Sequence, residues 1–545
     1  MKYFYKNKFC YILFVTIFLG TSCIDDLGNY DYNQVSRAII VDSDKDTYID
    51  VASGEILHIE PGISFTSGLG EGDFRYEWHN YRISDRRTIE IFHTNVPVLD
   101  TILPSSMSKT GRYQLYFKAF NNKTNAAYTK LFVVDVRNKI QVGYLALTEK
   151  AEGLELDLVA NFNDTLTLYT NILERMESEY PRKERTPIKI MTFNDIFAPS
   201  PYDTGTTGRI MYGVYILSKE GTEKVNAVDF SFKGEDYSLD KITAFPAGYK
   251  PQNTIAQTAF CNPTTQSQAY FYIEGNWFLY NMDMVPFYLS YPMNNYVNSS
   301  NQKIPYKVSP TIAHSNASAV VFFNEDEHRF MRQRGNMMDF YNSSSVLTSH
   351  IIEDRDGAPF LFNNRSYNLV HLGNRANISA TSSGYAVVHN TATSGYELLS
   401  FNFSPTAVTA TGRGDFPSSI NIPDLKYYVM HPVEPFLYCA TDTRIYRVHT
   451  GTMNVVDLTS SLVPSGHRIS FFGSLYPKLR NPTARFSLAT YDPGKDLETC
   501  GTLQILEISD TNSGTLALGK HPKETDKTLT WSGMGKIVSV DYKEK

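Results

Sequence analysis

Short runs in which apolar and polar residues alternate dominate residues 34–137. Such alternation is typical of β-strands that turn one face to a core and the other to solvent. Six runs of this kind in about a hundred residues predict a β-sandwich. The predicted strands are Ala38–Val41, Ile56–Ile59, Phe74–Trp78, Thr88–Phe92, Tyr113–Phe117 and Lys130–Val134.

A different pattern recurs over residues 139–545: a run of small and apolar residues, a turn, and a second run rich in aromatic or aliphatic residues. A repeat of about 50 residues, with four short strands in each unit, is typical of a β-propeller. The recurrence therefore predicts a propeller of about seven blades, with six or eight as the alternatives. The paired runs begin near residues 143, 211, 269, 319, 385, 436 and 486.

Two further segments refine the propeller prediction. Lys536–Val540 is predicted to be a strand that joins the first blade and closes the ring, which removes open sheet edges. Asp164 is a suitable N-cap, and the apolar residues after it follow a largely helical spacing. A helical insertion is therefore predicted near residues 164–180.

Composition and charge narrow the classes of function. The net charge of −6 and the absence of a basic block give no electrostatic support to nucleic-acid binding. The content of 37 Tyr and 33 Phe suits the half-buried surfaces of β-sheets. Cys261, Cys439 and Cys500 show no metal-binding spacing, and the sequence leaves open whether Cys439 and Cys500 pair.

The first 22 residues have the pattern of a lipoprotein signal peptide. A short basic run precedes about eleven apolar residues, too few for a bilayer, which needs about 20. Small residues then lead to Cys23, as in the lipobox that the lipoprotein signal peptidase recognises, although Gly20 stands where leucine is usual. We expect a lipid on the Cys23 thiol and a tether over residues 23–33. The alternative is an ordinary signal peptide with an incidental cysteine.

An acidic pair, Asp25 and Asp26, follows this cysteine closely. It resembles the export signal that sends lipoproteins of Bacteroides-type bacteria to the outer leaflet of the outer membrane. The resemblance implies a protein that faces the cell exterior. The alternative is a solvated tether on a lipoprotein that faces the periplasm.

The chain resembles the PKD-like (polycystic kidney disease) family of lipoproteins from Bacteroides-type bacteria in its lipobox, its opening from Cys23 to Tyr32, its PKD-like module and its propeller-like C-terminal part. The run from Asp26 to Tyr32, Asp-Leu-Gly-Asn-Tyr-Asp-Tyr, is the most specific, and the resemblance extends over nearly the whole chain. Trp78 and Tyr113 resemble the core aromatic and the tyrosine corner of the immunoglobulin-like PKD domain, so both are expected in the core. The family resemblance implies an accessory protein of a Sus-like nutrient-uptake system, beside a TonB-dependent transporter and its SusD-type lipoprotein. It transfers no catalytic residue.

Motifs for catalysis and for metals are mostly missing. The sequence has no zinc-protease helix motif, nucleophile elbow, P-loop or Rossmann glycine pattern. Asp42-x-Asp44-x-Asp46 resembles the start of a calcium loop but lacks its later glycine and glutamate, so a solvated loop is favoured. We expect no metal and no cofactor. A carboxylate pair for glycoside hydrolysis stays open, because the two acids need only meet in space.

The leading hypothesis is a non-catalytic cell-surface lipoprotein that binds a glycan or a peptide for an outer-membrane uptake system. The alternatives are a surface-exposed propeller glycosidase or lyase, and a scaffold that docks on a TonB-dependent transporter. Exposed aromatic rings on propeller loops are the expected platform for sugars. The candidates are Tyr291 and Tyr296, because Pro292 and the nearby asparagines predict a loop there. Ordinary loop packing is the alternative for both.

Overall fold

The chain separates into two compact units, one formed mainly by residues up to Asp135 and the other from Val136 onward. No helix among the described residues is both long and apolar enough to cross a membrane. The computed structural model describes residues 38–40, 47–52, 55–66, 68–82, 87–102, 107, 111–137, 139–140, 142–193, 213–243, 251–261, 268–281, 288–289, 292–314, 319–334, 349–375, 382–475, 485–510 and 512–543.

The first unit is a β-sandwich, as the alternating pattern predicts. Its strands are β1 (Ala38–Ile40), β2 (Tyr48–Ala52), β3 (Ile56–Ile59), β4 (Ile63–Phe65), β5 (Phe74–Arg82), β6 (Arg87–Thr94), β7 (Leu99–Ile102), β8 (Gly111–Asn121) and β9 (Ala127–Arg137). Five of them form one sheet in the order β2-β9-β8-β5-β6, and two small sheets pair β1 with β4 and β3 with β7. A single turn of 3-10 helix, Glu71–Asp73, precedes β5.

One aromatic cluster forms the centre of the sandwich. Trp78 is fully buried, and its ring centroid lies 4.7 Å from that of Phe117 and 5.8 Å from that of Phe132. Tyr76 is also buried and donates its hydroxyl to the Glu71 carbonyl at 3.0 Å. The prediction of a core Trp78 is confirmed, whereas Tyr113 is only half-buried.

The described residues of the second unit form seven sheets, and each of the seven paired runs in the sequence lies in a different one. This confirms the all-β class, a β-sandwich followed by a β-propeller. Blade 1 holds β10 (Gly143–Lys150), β11 (Gly153–Phe162), β12 (Thr165–Tyr169) and β39 (Lys536–Lys543); blade 2 holds β13 (Pro187–Phe193), β14 (Gly213–Ser218) and β15 (Thr222–Asn226); blade 3 holds β16 (Ala256–Cys261), β17 (Gln268–Ile273), β18 (Asn276–Asn281) and β19 (Tyr288–Leu289).

The other four blades are also antiparallel, except that β20 and β25 of blade 4 pair in parallel. Blade 4 holds β20 (Asn295–Val297), β21 (Lys303–Pro305), β22 (Ala313–His314), β23 (Ala319–Asn324), β24 (Arg329–Arg334) and β25 (Ser349–Ile351); blade 5 holds β26 (Tyr367–Asn374), β27 (Ser382–Asn390), β28 (Gly395–Phe403) and β29 (Val408–Asp415). Blade 6 holds β30 (Tyr427–Met430), β31 (Phe436–Ala440), β32 (Ile445–His449) and β33 (Val455–Asp457); blade 7 holds β34 (Arg468–Ser474), β35 (Arg485–Tyr491), β36 (Gly501–Asp510), β37 (Thr515–Leu518) and β38 (Thr530–Met534).

One strand of each blade lies towards the centre of the ring. These inner strands are β39, β13, β16, β22, β26, β30 and β34, and neighbouring members contact each other from blade to blade. The last strand of the chain, β39, pairs antiparallel with β10, from Gly143 opposite Lys543 to Glu149 opposite Lys536. The predicted closing strand is thereby confirmed.

Apolar side chains fill every junction between adjacent blades. Seven separate clusters of buried residues occupy these seven junctions, and each draws residues from both neighbouring blades. At the junction of blades 7 and 1, Ile537 and Val540 of the closing strand pack with Leu503 and Leu529. The free energy gained by burying apolar surface is therefore distributed around the whole ring.

The predicted helical insertion near 164–180 is wrong over most of its length. Thr165–Tyr169 is the strand β12, which pairs with β11 through a two-residue turn at Asn163 and Asp164. Both turn residues have positive φ angles, 51° and 58°, as the favoured hairpin turns require, so Asp164 is not an N-cap. Only Ile172–Arg175 forms a single helical turn; other single turns are helical at Leu239–Ile242 and Thr459–Leu462, and 3-10 at Gly234–Tyr237 and Ile422–Asp424.

Candidate functional site

Most of the site residues predicted from the sequence lie outside the described part of the chain. This holds for the lipidation residue Cys23, for the acidic pair Asp25 and Asp26, and for Tyr291. The calcium-like run from Asp42 to Asp46 lies outside it as well. Among the residues that the structure describes, no group of three or more His, Cys, Asp or Glu side chains is placed to hold a metal ion.

Tyr296 lies on strand β20, so the loop predicted there is wrong at this residue. The strand forms a hairpin with β21, and Asn298 closes the turn by accepting hydrogen bonds from the backbone N–H groups of Ser300 and Gln302. The Tyr296 hydroxyl donates to Glu327 at 2.9 Å, and the Arg329 guanidinium lies 5.3 Å from its ring centroid. Tyr296 thus has structural partners on both its hydroxyl and its ring.

The three cysteines of the propeller are free thiols. Cys439 and Cys500 are both buried and do not pair. Burial raises the pKa of the Cys439 thiol to about 12 and also raises that of Cys500, so both are held as neutral thiols at pH 7.

The inner strands present a series of half-buried ring and cationic side chains. Six of the seven inner strands contribute one each, and we call this set the inner wall. Half-buried side chains on strands that border the centre of a propeller are placed to meet a ligand that enters the ring. The members of the inner wall are Lys189, Phe260, His314, His371, Tyr428 and Phe471.

Contacts between neighbouring blades hold one side of the inner wall. The His371 and Tyr428 rings stack with centroids 4.5 Å apart and planes inclined by 15°. Burial lowers the pKa of His371 to about 4, so this ring is a neutral imidazole at pH 7. Tyr427, beside Tyr428, donates its hydroxyl to the Ser470 carbonyl at 2.5 Å and meets the Phe471 ring edge-on.

The other side of the inner wall carries a cation. The Lys189 ammonium lies 4.1 Å from the centroid of the Phe260 ring, a cation–π contact between blades 2 and 3. Phe260 in turn lies 5.9 Å from His314 of blade 4. Burial, and then the positive charge of Lys189, lower the pKa of His314 to about 4.

Several polar atoms of the inner strands lack a partner within the described part of the chain. They are the Tyr428 hydroxyl, the Ser470 hydroxyl and Nδ1 of His314, all buried. Buried polar groups in folded proteins are nearly always paired with protein, water or ligand. These groups, on blades 4, 6 and 7, therefore favour polar ligands or ordered water along the inner strands.

Carboxylates near the centre are engaged in structural contacts. Asp541 is the one acidic residue of the inner strands, and it accepts hydrogen bonds from the backbone N–H of Thr192 at 2.6 Å and from its hydroxyl at 3.1 Å. In blade 1, Asp157 accepts hydrogen bonds from the backbone N–H groups of Asn171 and Gly535. Glu155 accepts from the backbone at Leu173 and from Arg182. Burial raises the pKa of both Asp157 and Glu155.

A separate open cleft of about 530 Å³ lies at the edge of blades 1 and 2. Its walls carry both charges, and most of them are already paired: Lys183 with Glu152 at 3.0 Å, and Arg185 with Glu223 at 2.9 Å. Gly153 permits the close approach of these walls, because a Cβ atom there would lie 2.2 Å from the Arg182 carbonyl oxygen. The cleft is consequently a network of ion pairs with no surplus of either charge.

The family comparison bears on the N-terminal part of the chain. The sequence profile of the PKD-like family matches residues 23–180, which include the described sandwich. The N-terminal domain is PKD-like. No curated protein matches the chain.

Similar solved structures are distant in sequence. A quinonprotein alcohol dehydrogenase-like protein from Bacteroides thetaiotaomicron is 9% identical, with 91% of this chain and 96% of that chain covered at a TM-score of 0.38. The extracellular domain of a putative one component system from B. thetaiotaomicron is 10% identical, with 90% and 69% covered at a TM-score of 0.32. The YCF48 protein from Cyanidioschyzon merolae is 9% identical, with 69% and 95% covered at a TM-score of 0.34. These similarities carry no inference about substrate or activity.

The inner wall is the feature that sequence reasoning missed. Its residues come from six strands widely separated along the chain, and no local spacing connects them. The recurring hairpins predict the second and third strands of each blade, counted outward from the centre of the ring. The residues of the inner wall lie on the first strand. Aromatic and histidine residues just upstream of each predicted hairpin are the sequence signal that identifies most residues of the inner wall.

Proposed function

We propose that this protein is a non-catalytic binding lipoprotein of the cell surface, an accessory component of an outer-membrane uptake system, and that its ligand is a glycan bound at the inner wall. The Cys23 thiol carries the lipid, and Asp25 and Asp26 direct the protein to the cell exterior. The PKD-like match begins at residue 23 and supports this assignment of the N-terminus. A peptide ligand is the other outcome that the binding test distinguishes.

The observation that carries the proposal is the set of half-buried rings beside unpartnered polar atoms on the inner strands. Sugars present apolar C–H faces and a rim of hydroxyl groups. Ring faces such as those of Tyr428 and Phe471 match the apolar side, and groups such as Nδ1 of His314 match the hydroxyl rim. The described inner strands carry one acid, Asp541, which Thr192 engages, so the geometry gives no support to glycoside hydrolysis by a pair of carboxylates there.

The first test is binding of the full chain to a glycan array, followed by calorimetry with the strongest ligand. Tyr428→Leu removes a ring and a buried, unpartnered hydroxyl but keeps apolar volume, so the fold is expected to survive. Loss of a stacking ring is expected to weaken binding about tenfold. Tyr48→Leu is the matched control, because Tyr48 is 70% exposed and lies in the sandwich. Equal loss in both variants, or binding of peptides alone, contradicts a glycan site at the inner wall.

The second test concerns anchoring and partners. We expect the tagged protein to fractionate with the outer membrane and to co-purify with a TonB-dependent transporter and its SusD-type lipoprotein. Cys23→Ser is expected to release the protein from the membrane fraction, because the thiol that carries the lipid is gone. Recovery of the transporter without any glycan binding supports a scaffold instead, and recovery of the protein alone removes the accessory role.

A further inference from the structure

The sandwich exposes two apolar side chains that stand directly opposite each other. Ile56 on β3 and Ile102 on β7 are cross-strand neighbours in a small two-stranded sheet, and they are 62% and 68% exposed. In the strand pairs that the structure describes, no other two exposed large apolar side chains face each other. Adjacent exposed apolar side chains, unlike single ones, mark a surface that contacts a partner protein or a membrane.

The next outward-facing pair on the same two strands is polar. His58 stands opposite Asp100, and its Nδ1 lies 3.9 Å from the carboxylate. The side chains that alternate with them on β3, Leu57 and Ile59, are buried in the sandwich. Two residues of a strand span about 7 Å, so the outer surface of this sheet changes from apolar to polar over about 7 Å. Elements that lie in a membrane interface bury their apolar side to a similar depth, about 5–10 Å.

The position of the sandwich in the chain favours a membrane as the partner of this surface. Residues 24–37 separate Cys23, the proposed site of the lipid, from Ala38 at the start of β1. At no more than about 3.6 Å per residue, this segment reaches at most about 50 Å. A domain of about 100 residues has a radius of gyration of about 13 Å, and so is about 35 Å across. Every face of a sandwich anchored at Cys23 is therefore within reach of the bilayer.

We propose that Ile56 and Ile102 insert into the surface of the lipid bilayer, with His58 and Asp100 at the level of the headgroups, and that this contact orients the sandwich on the membrane. The inference rests on the proposed function, since the lipid on Cys23 brings the sandwich to the bilayer. A lipid on a tether leaves the attached domain free to rotate, whereas a second contact fixes which face it turns to the membrane. The two isoleucines add their apolar area to that of the lipid chains.

The test uses the full lipidated chain in phosphatidylcholine vesicles. Ile102→Cys provides a thiol for a fluorophore at the proposed contact. Ile91→Cys is the matched control within the sandwich, because Ile91 is 44% exposed on a different sheet, and Val456→Cys is the control in blade 6, at a residue that is 38% exposed. Lipids that carry a nitroxide about 5–10 Å below the headgroups are expected to quench the fluorophore at residue 102 at least about threefold more than at residues 91 and 456. Labelling of the unaltered chain measures the background from its native thiols.

A second substitution tests whether the two isoleucines act together. Ile56→Ser in the Ile102→Cys chain is expected to lower the quenching at residue 102 by at least about half, because much of the inserted apolar area is lost. Ile89→Ser in the same chain is expected to leave the quenching unchanged, since Ile89 lies on the other sheet. All these side chains are exposed, so the substitutions are expected to leave the fold intact.

Flotation of the vesicles separates failure of the contact from failure of the anchor. Equal quenching at residues 102, 91 and 456, in a chain that floats with the vesicles, overturns the membrane contact but leaves the lipid anchor standing. A chain that does not float, and that carries no lipid by mass spectrometry, overturns the anchor on which the proposed function depends. A fluorophore at residue 102 that lipids do not quench, but that the added transporter shields from an aqueous quencher, overturns the membrane contact in favour of a protein partner.

Discussion

The sandwich and the propeller achieve their stability in different ways. The sandwich has one aromatic centre, in which Trp78 on β5 contacts Phe117 on the adjacent strand β8 and Phe132 on β9, one strand further in the same sheet. The propeller has seven apolar clusters of comparable kind, and it is closed by a strand from the far end of the chain. The core of the sandwich is thus concentrated in one cluster, whereas that of the propeller is divided among seven junctions that a single strand closes.

Removal of residues 536–545 is expected to have the largest effect. It leaves the edge of β10 unpaired and takes Ile537, Val540 and Tyr542 out of the junction of blades 7 and 1. Because an open ring exposes both an apolar face and a free strand edge, we expect the propeller to lose its cooperative thermal transition and to aggregate. Calorimetry and limited proteolysis measure the loss of the folded propeller, with the thermal transition of the sandwich as the internal reference.

The control for the truncation is a chain that lacks only residues 544–545, which leaves β39 whole. We expect it to behave as the full protein does. If the chain without residues 536–545 keeps its propeller transition within about 2 °C of that of the full chain, a shift that corresponds to about 2 kcal/mol for a unit of this size, then ring closure does not have the stabilising role assigned to it.

A matched pair of tryptophan substitutions is expected to have the next largest effect. Trp78 in the sandwich and Trp277 in the propeller are both fully buried. Replacement of either by alanine is expected to cost about 3–5 kcal/mol in the free energy of unfolding, through lost burial and the cavity left behind. Trp78→Ala is expected to lower the transition of the sandwich alone, and Trp277→Ala that of the propeller alone.

The two alanine variants also test whether the units unfold independently. Trp277→Ala removes the hydrogen bond from the indole N–H to the Ser309 carbonyl, so Trp277→Phe isolates this contribution by keeping a ring. A single transition that shifts equally in both alanine variants shows one cooperative unit, and the comparison between sandwich and propeller then fails.

The sequence predicts those parts of the fold whose information is local. Each paired run begins at the strand next to the innermost one of its blade, because those strands are the most apolar. Lys536–Val540 is recognisable in the sequence for the same reason. Leu166, Leu168 and Ile172 fit a helix and a strand equally well, and the turn at Asn163 and Asp164 is the signal that decides between them. The prediction of a helix that starts at Asp164 was wrong because it neglected the preference of both Asn163 and Asp164 for turns.

The candidate site was harder to predict because ring closure creates it. Lys189, Phe260 and His314 meet only after blades 2, 3 and 4 have formed and packed side by side. Tyr296 illustrates the opposite case, since its sequence neighbours predict a loop whereas pairing with Ile304 makes it a strand residue. Local composition informs on turns and strands, and it carries no information on which strands become neighbours.

The smallest effect we expect to resolve is acid destabilisation of the propeller through His431. Burial, and then the charge of Arg375, lower the pKa of this buried histidine to about 4, while Nδ1 accepts hydrogen bonds from the backbone N–H groups of Val433 and Glu434. Below its ordinary value of about 6.5 the unfolded chain binds the proton first, so the free energy of unfolding falls as the pH drops towards 4, by about 1–3 kcal/mol.

His431→Asn separates this titration from the other acid-sensitive groups. An asparagine oxygen accepts the same two backbone hydrogen bonds but does not titrate, as Asn324 does for the N–H groups of Asp326 and Glu327. Urea unfolding of the propeller at pH 7 and at pH 4 is expected to show a smaller pH difference for His431→Asn than for the unaltered chain. An identical pH difference in both proteins means that His431 is protonated in the folded ring, and that its buried environment does not exclude the charge.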